Sequence, residues 1–299
     1  MVRVRFLETA LRGARDAARR ARAYGELVMF SHSIFSFSFL ALSACVASGG
    51  FPEVRTSVLL TAAFLGARTC ANALNRIIDR DIDAANERTR ARHLPAGLLL
   101  PIEAGLLAAA SFLVLSVAAW FLNPVCVALL PVAGVLILVY SYTKRFTWLC
   151  HLVLGVACAA APAGAWIAVR GTLEFPGLLL AAANALWVAG FDIVYAVQDI
   201  EFDRAAGLHS IPARFGKKPA LDIAVLSHFA AVAFLVVFGA FVRLGFPYFS
   251  GIIIVAALLV AAALAARENY RAHVLFASYS ANQMVSLVLL AATILEFAL

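Results

Sequence analysis

The sequence predicts an all-α, polytopic membrane protein, a bundle of nine transmembrane helices. Three observations lead there. The chain of 299 residues is 64% hydrophobic and only 14% charged, with a mean hydropathy of +0.92; soluble domains carry roughly 25% charged residues. Apolar runs near the ~20 residues that one crossing needs recur along its whole length. No linker, low-complexity tract or soluble domain interrupts them.

In chain order, residues 1–25 come first and form a basic arm containing Arg3, Arg5, Arg12, Arg15, Arg19, Arg20 and Arg22. Leu7, Leu11 and Ala18 alternate with these arginines, as in a helix lying on a membrane surface. A full-length apolar run without a clear small-residue cleavage site comes next, so we read an uncleaved span and not a signal peptide. Residues 26–299 then form one transmembrane domain. Its spans are expected at about 27–47, 55–78, 99–121, 124–142, 149–169, 176–199, 220–242, 247–266 and 274–297.

Lys and Arg orient these spans. The arm, Arg76 and the loops at about 79–98, 143–148, 200–219 and 267–273 hold every Lys and Arg except Arg55, Arg68, Arg170 and Arg243. The positive-inside rule puts the arm and those loops in the cytoplasm, and the protein in the cytoplasmic (inner) membrane. The net charge of +7 is thus a topology signal and an attraction to membrane lipid, with no nucleic-acid partner implied. Cys45, Cys70, Cys126, Cys150 and Cys158 are scattered, make no metal spacing, and read as small packing residues.

Two acidic segments stand out. One is Asn75-Arg-Ile-Ile-Asp79-Arg-Asp-Ile-Asp83, at the end of the second span. The other is Asp192-Ile-Val-Tyr195-Ala-Val-Gln-Asp199-Ile-Glu-Phe-Asp203, at the end of the sixth. A four-residue step puts Asp79 with Asp83, and Asp199 with Asp203, on one helical face. Read as helix C-termini, these acids oppose the macrodipole at about 0.3–1 kcal/mol each. Like charges at that step add a similar penalty. The bland alternative is solvated acids paired with Arg76, Arg80 and Arg204; the repetition of the pattern on one side of the membrane argues against it. Asp192 lies about two turns inside its span, where an acid marks function by default.

Oxygen donors without His or Cys favour Mg²⁺ or Ca²⁺. Mg²⁺ takes one or two carboxylates and leaves its other positions to phosphate and water. Two facing acid groups therefore suit metal ions on a diphosphate, and Asn75 offers an amide oxygen one turn before Asp79. The adjoining loops carry Arg88, Arg90, Arg92, Lys144, Arg145, Arg214, Lys217 and Lys218, with the forked arginines best suited to phosphate.

These residues resemble the UbiA superfamily of intramembrane prenyltransferases. The first signature is Asn75-xxx-Asp79-xxx-Asp83 followed by Arg88-Thr89-xx-Arg92-xx-Pro95-x-Gly97. The second is Asp192-xx-Tyr195-Ala196-xx-Asp199-xxx-Asp203 with Gly207 and Ser210, and Tyr140 to Thr147 is similar to the loop between them. The likeness runs from about residue 27 to the end. It implies nine helices around a central cavity and Mg²⁺-dependent transfer of a prenyl group from polyprenyl diphosphate to an aromatic acceptor. It implies that Asn75, Asp79, Asp83, Asp199 and Asp203 hold the metal, and that Arg88, Arg92, Lys144 and Arg145 hold phosphate oxygens. Where the family often has Asp after the motif Asn, this chain has Arg76.

On that resemblance, Asp192 or Asp199 orients the acceptor or takes its proton. Tyr195 and Arg68 lie on the acceptor side, Arg68 to meet an acceptor carboxylate or, structurally, to pair with Asp192. The second signature is most similar to 4-hydroxybenzoate polyprenyltransferases of ubiquinone synthesis. It is also similar to a branch acting on a dihydroxynaphthoate in menaquinone synthesis. The stretch from Glu26 to Phe35 lacks the basic residues frequent in the former, which leans towards the latter. His32 reads as a structural hydrogen bonder. Two rivals are weaker: an ion-coupled transporter would place its acids near the midplane, and the single signature of membrane phosphatidyltransferases is not matched.

Overall fold

The computed structural model describes residues 20, 22–28 and 34–299; among these there are helices and no strands. From Ile34 the helices are α1 (Ile34–Ser48), α2 (Val54–Ile78), α3 (Arg80–Ala85), α4 (Pro101–Leu122), α5 (Pro124–Ala128), α6 (Leu130–Tyr142) and α7 (Cys150–Arg170). They continue as α8 (Phe175–Ala196), α9 (Ile200–Ala205), α10 (Ile211–Phe215), α11 (Lys217–Phe241), α12 (Phe246–Glu268), α13 (Tyr270–Leu275) and α14 (Ala281–Ala298). Proline opens many of them: Pro101, Pro124, Pro131, Pro176, Pro212 and Pro247 all sit in a first turn. There the missing N–H has no intrahelical partner to forgo.

Of the nine expected spans, seven are present among the described residues as helices long and apolar enough to cross a membrane. The fourth expected span is broken into α5 and α6 at Leu129. Pro131 follows the break, and it has no N–H to give the carbonyl of Val127. The first is represented by the shorter α1, because residues 29–33, including His32, lie outside the described residues, as does most of the basic arm. Of that arm, Arg22 pairs with Glu26 and Arg20 lies 3.9 Å from Glu103.

Packing follows the small residues. α1 touches α7 and α14, α7 packs on α8, α8 on α11, and α12 on both α11 and α14. Phe39, Leu42, Trp166, Leu180, Trp187 and Phe238 belong to the core these helices share. The rings of Phe39 and Trp187 stack at 5.2 Å. Outward-facing side chains such as Trp120, Phe229 and Ile253 are apolar and exposed, as suits a hydrocarbon solvent. Separately, α2 packs along α4 and against α6.

At the α7–α8 contact the two backbones themselves meet. A Cβ on Gly155 would lie 2.2 Å from the carbonyl oxygen of Ala185, so only glycine lets these backbones approach. Asn184 donates to the carbonyl of Cys158 at 3.0 Å in the same interface. Gly155→Val is expected to destabilise the bundle by about 1–3 kcal/mol through overpacking. Gly164→Val, where a Cβ meets nothing within 4 Å, is the neutral control. Thermal unfolding of the two variants in detergent checks this.

Candidate active site

The two acid segments share one local design. α2 ends at Ile78, Asp79 turns the chain, and the six-residue α3 follows. α8 ends at Ala196, a single 3₁₀ turn runs over Val197–Asp199, and the six-residue α9 follows. The four-residue relation survives the first turn, because the Asp83 N–H donates to the Asp79 carbonyl at 2.8 Å. The breaks correct one sequence expectation. Asp83 and Asp203 are not at the C-termini of long helices; each sits in the first turn of a new short helix, whose dipole favours an acid.

Cations meet the acids. Lys144 lies 2.7 Å from Asp79 Oδ2, and Arg145 lies 3.5 Å from Oδ1. Arg145 also donates to the carbonyl of Ile78 at 2.5 Å. Arg92 donates to both oxygens of Asp83, at 2.7 and 2.8 Å, and Arg76 stands 3.9 Å away. Both acids are buried, with 3% and 4% of their surface exposed. Arg88 grips Asp199 with its fork, Nε to Oδ1 at 2.9 Å and Nη2 to Oδ2 at 2.5 Å, and its third nitrogen donates to the Tyr195 hydroxyl at 2.6 Å. Burial works against the Arg88 charge, but Asp199 and Tyr195 together outweigh it, so the guanidinium titrates above its ordinary value. Ser210 donates to Asp203 at 2.8 Å.

These contacts join the two segments. Arg88 and Asn86 follow the first segment yet both bond Asp199 in the second. Lys144 holds Asp79 with its side chain, while its carbonyl accepts from the His209 N–H at 2.7 Å, beyond the second segment. Arg88, Arg92, Lys144 and Arg145 thus all reach the acids. Arg214 stacks instead on Trp148, Lys217 on Tyr270, and Arg90 pairs with Glu87. Arg80 meets Asp81 and Arg204 the carbonyl of Ala213, so neither neutralises the signature acids.

Deeper along the helices, Asp192 does not pair with Arg68. Its Oδ2 lies 2.7 Å from Nδ1 of His151, and Arg68 Nε is buried without a hydrogen bond. The steps from Arg68 to Asn75 and from Asp192 to Asp199 are both seven residues. Each helix therefore carries a polar side chain below its acids on the same face, Arg68 eleven residues before Asp79 and Asp192 seven before Asp199.

Residues 35–290 match the UbiA prenyltransferase family. The chain belongs to the UbiA prenyltransferase family. It is 29% identical over 289 residues to the 4-hydroxybenzoate octaprenyltransferase of Vibrio campbellii, spanning 94% of this chain and 99% of that protein. It is 33% identical over 248 residues to the enzyme of the same name from Vibrio cholerae serotype O1, spanning 81% and 86%. The solved UbiA homologue from Aeropyrum pernix K1 aligns with a TM-score of 0.82 and 32% identity, over 89% of this chain and 98% of that one. A UbiA homologue from Archaeoglobus fulgidus bound to GPP and Mg²⁺ shares the fold at a TM-score of 0.65 and 20% identity, over 93% and 100%. The chain is accordingly a prenyltransferase of this family, and the transporter and phosphatidyltransferase readings fall away.

In this UbiA member the donor set suits Mg²⁺. Asp79 Oδ1 is buried without a hydrogen bond, and the bonds of Asn75 to Asp79 and Ser141 use its amide nitrogen and leave its oxygen unengaged. No three His, Cys, Asp or Glu converge on one point among the described residues. Mg²⁺ on a phosphate does not require them to, since it needs few protein ligands. Sequence reasoning missed Asn86, Ser141 and His151. Only His151 carried a signal, an ionisable side chain inside an apolar run.

Removing Arg92 leaves Asp83 buried with only the distant Arg76. Arg92→Leu is expected to cost up to about 3–5 kcal/mol, as for other broken buried pairs. Arg90→Leu, at an exposed pair, should cost under about 1 kcal/mol. Chemical denaturation in mixed micelles measures both.

Proposed function

We propose that the protein transfers a polyprenyl group from polyprenyl diphosphate to an aromatic acceptor carrying a hydroxyl and a carboxylate, in quinone biosynthesis. The observation that carries this reading is the pair of acid segments, cross-linked through Arg88 and Lys144 and interleaved with cations. The relatives named for 4-hydroxybenzoate favour that acceptor. The lack of basic residues from Glu26 to Phe35 favours a dihydroxynaphthoate. In the membrane, α1 and the broken α5–α6 pair would complete nine passes around a central cavity. The distribution of Lys and Arg would set the acid end towards the cytoplasm.

Asn75, Asp79, Asp83, Asp199 and Asp203 would hold Mg²⁺. When bound, that ion supplies charge stabilisation to the departing diphosphate. Arg88, Arg92, Lys144 and Arg145 would bind the phosphate oxygens. The bond between the allylic carbon and the diphosphate oxygen breaks, and its electron pair leaves with the diphosphate. A ring carbon of the acceptor forms the new C–C bond as the hydroxyl proton is given up, and the proton that this carbon then loses restores the hydroxyl, so one proton leaves in all. Asp192 accepts the acceptor's hydroxyl proton or orients that group, with Tyr195 beside it. Arg68 meets the carboxylate with the donor that is otherwise buried and unbonded. The apolar helices exclude water from the allylic cation.

Purified protein given a labelled polyprenyl diphosphate, Mg²⁺ and either acceptor should yield prenylated product. Chelation should abolish the yield and added Mg²⁺ restore it. Asp79→Ala and Asp199→Ala should each lower turnover on the order of 10²–10³-fold, the loss typical of one preorganised electrostatic contact. No product from either acceptor would sink the reading. Arg68→Leu should raise the acceptor KM roughly 10–100-fold, the worth of a charged hydrogen bond, while leaving the KM for the diphosphate unchanged.

A further inference from the structure

We infer that His151 is a positioning residue for Asp192, holding one carboxylate oxygen so that the other is presented to the acceptor's hydroxyl. The inference rests on the reaction proposed above and adds to it a residue from a different helix.

The geometry is local and specific. His151 Nδ1 lies 2.7 Å from Asp192 Oδ2. The imidazole is nearly enclosed, with 4% of its side chain exposed, whereas 28% of the Asp192 side chain is exposed. The carboxylate therefore has one edge fixed against a buried ring and one edge open. A contact that served only to tie two helices would have no need of an open edge.

Several features set this contact. Gly155 lies one turn beyond His151 on α7, and it alone permits the close approach to Ala185. Ala185 is seven residues before Asp192, on the same face of α8. The start of α7 is also fastened, because the Cys150 thiol donates to the carbonyl of His209 at 3.4 Å. His209 in turn bonds Lys144, the residue on Asp79. The imidazole is thus registered to the acid clamp through the backbone. Asp192 itself lies seven residues from Asp199, about 10 Å along a helix. That separation leaves room for a ring between a diphosphate at the clamp and the carboxylate. The charged or titratable groups around the pair are Cys150, Cys158, Arg68 and Asp203.

The test compares His151→Ala, His151→Asn and Asp192→Asn. Asparagine can return an N–H donor near the place of Nδ1. His151→Ala should lower kcat on the order of 10–100-fold, within the ~10²–10⁴ that a positioned acid–base group contributes. The KM for the prenyl diphosphate should stay unchanged, and His151→Asn should recover most of the loss. The double variant His151→Ala/Asp192→Asn should be no slower than Asp192→Asn alone. Wild-type kcat in His151→Ala, or equal losses in the Ala and Asn variants, overturns the inference.

A second readout needs no turnover. Difference infrared spectra against Asp192→Asn identify the Asp192 carboxylate band. That band should shift in His151→Ala and return in His151→Asn; an unmoved band also overturns the inference. If wild-type protein turns over neither acceptor, the proposed reaction fails, and the infrared result still decides whether His151 orients Asp192.

Discussion

The pairing of buried carboxylates with cations from other segments is the constraint on which the site depends. Asp79 and Asp83 sit almost without solvent at the end of an apolar helix. A buried charge without a partner costs several kcal/mol. The partners come from the connecting segments: Arg92 and Arg88 from the turns after α3, and Lys144 and Arg145 from a single 3₁₀ turn after α6. The loop after α3 is held at this end of the bundle both by these ion pairs and by Leu94 and Leu99, buried against Leu27 and Ala104.

The two halves solve the same problem in the same way. In each, a long helix breaks at an aspartate, a six-residue helix carries the next one, and a polar side chain, Arg68 or Asp192, lies deeper on the long helix. The break converts an unfavourable end of one helix dipole into the favourable start of another. The aspartates at the breaks, Asp79 and Asp199, are the ones gripped from the other segment or from the intervening loop. Asp83 and Asp203 take partners closer in sequence, Arg92 and Ser210. Each half is therefore hydrogen-bonded locally at one acid and cross-linked at the other.

Much of this was legible in the sequence, for identifiable reasons. Apolar length marks most spans because hydrocarbon demands it of every residue in a helix. Four-residue spacing marks the acid faces because helical period is local. The break of the fourth span at Leu129 was hidden, since its residues are as apolar as those of an intact helix; only Pro131 signalled it. The breaks at Asp79 and Asp199 were hidden too, because no Gly or Pro marks them. The partner of Asp192 was not legible for another reason. Arg68 and His151 are both ionisable and both within apolar runs, and which one faces Asp192 depends on how closely α7 and α8 approach. That is set by Gly155 meeting Ala185, a tertiary fact.

The pairing also bears on how such a site can admit a highly charged substrate. A metal-bound diphosphate brings cations and anions together. If the acids pass to the metal and the bases to the phosphates, each buried charge changes partner and none is left alone. The desolvation already incurred in burying Asp79, Asp83 and their cations then need not be incurred again when substrate binds. An apolar bundle with neutral walls would have to strip the diphosphate of water with nothing to replace it. One lined only with bases would repel the metal. Interleaved acids and bases, with Asp79 Oδ1 buried among them without a hydrogen bond, would let one end of a hydrocarbon-solvated protein handle both.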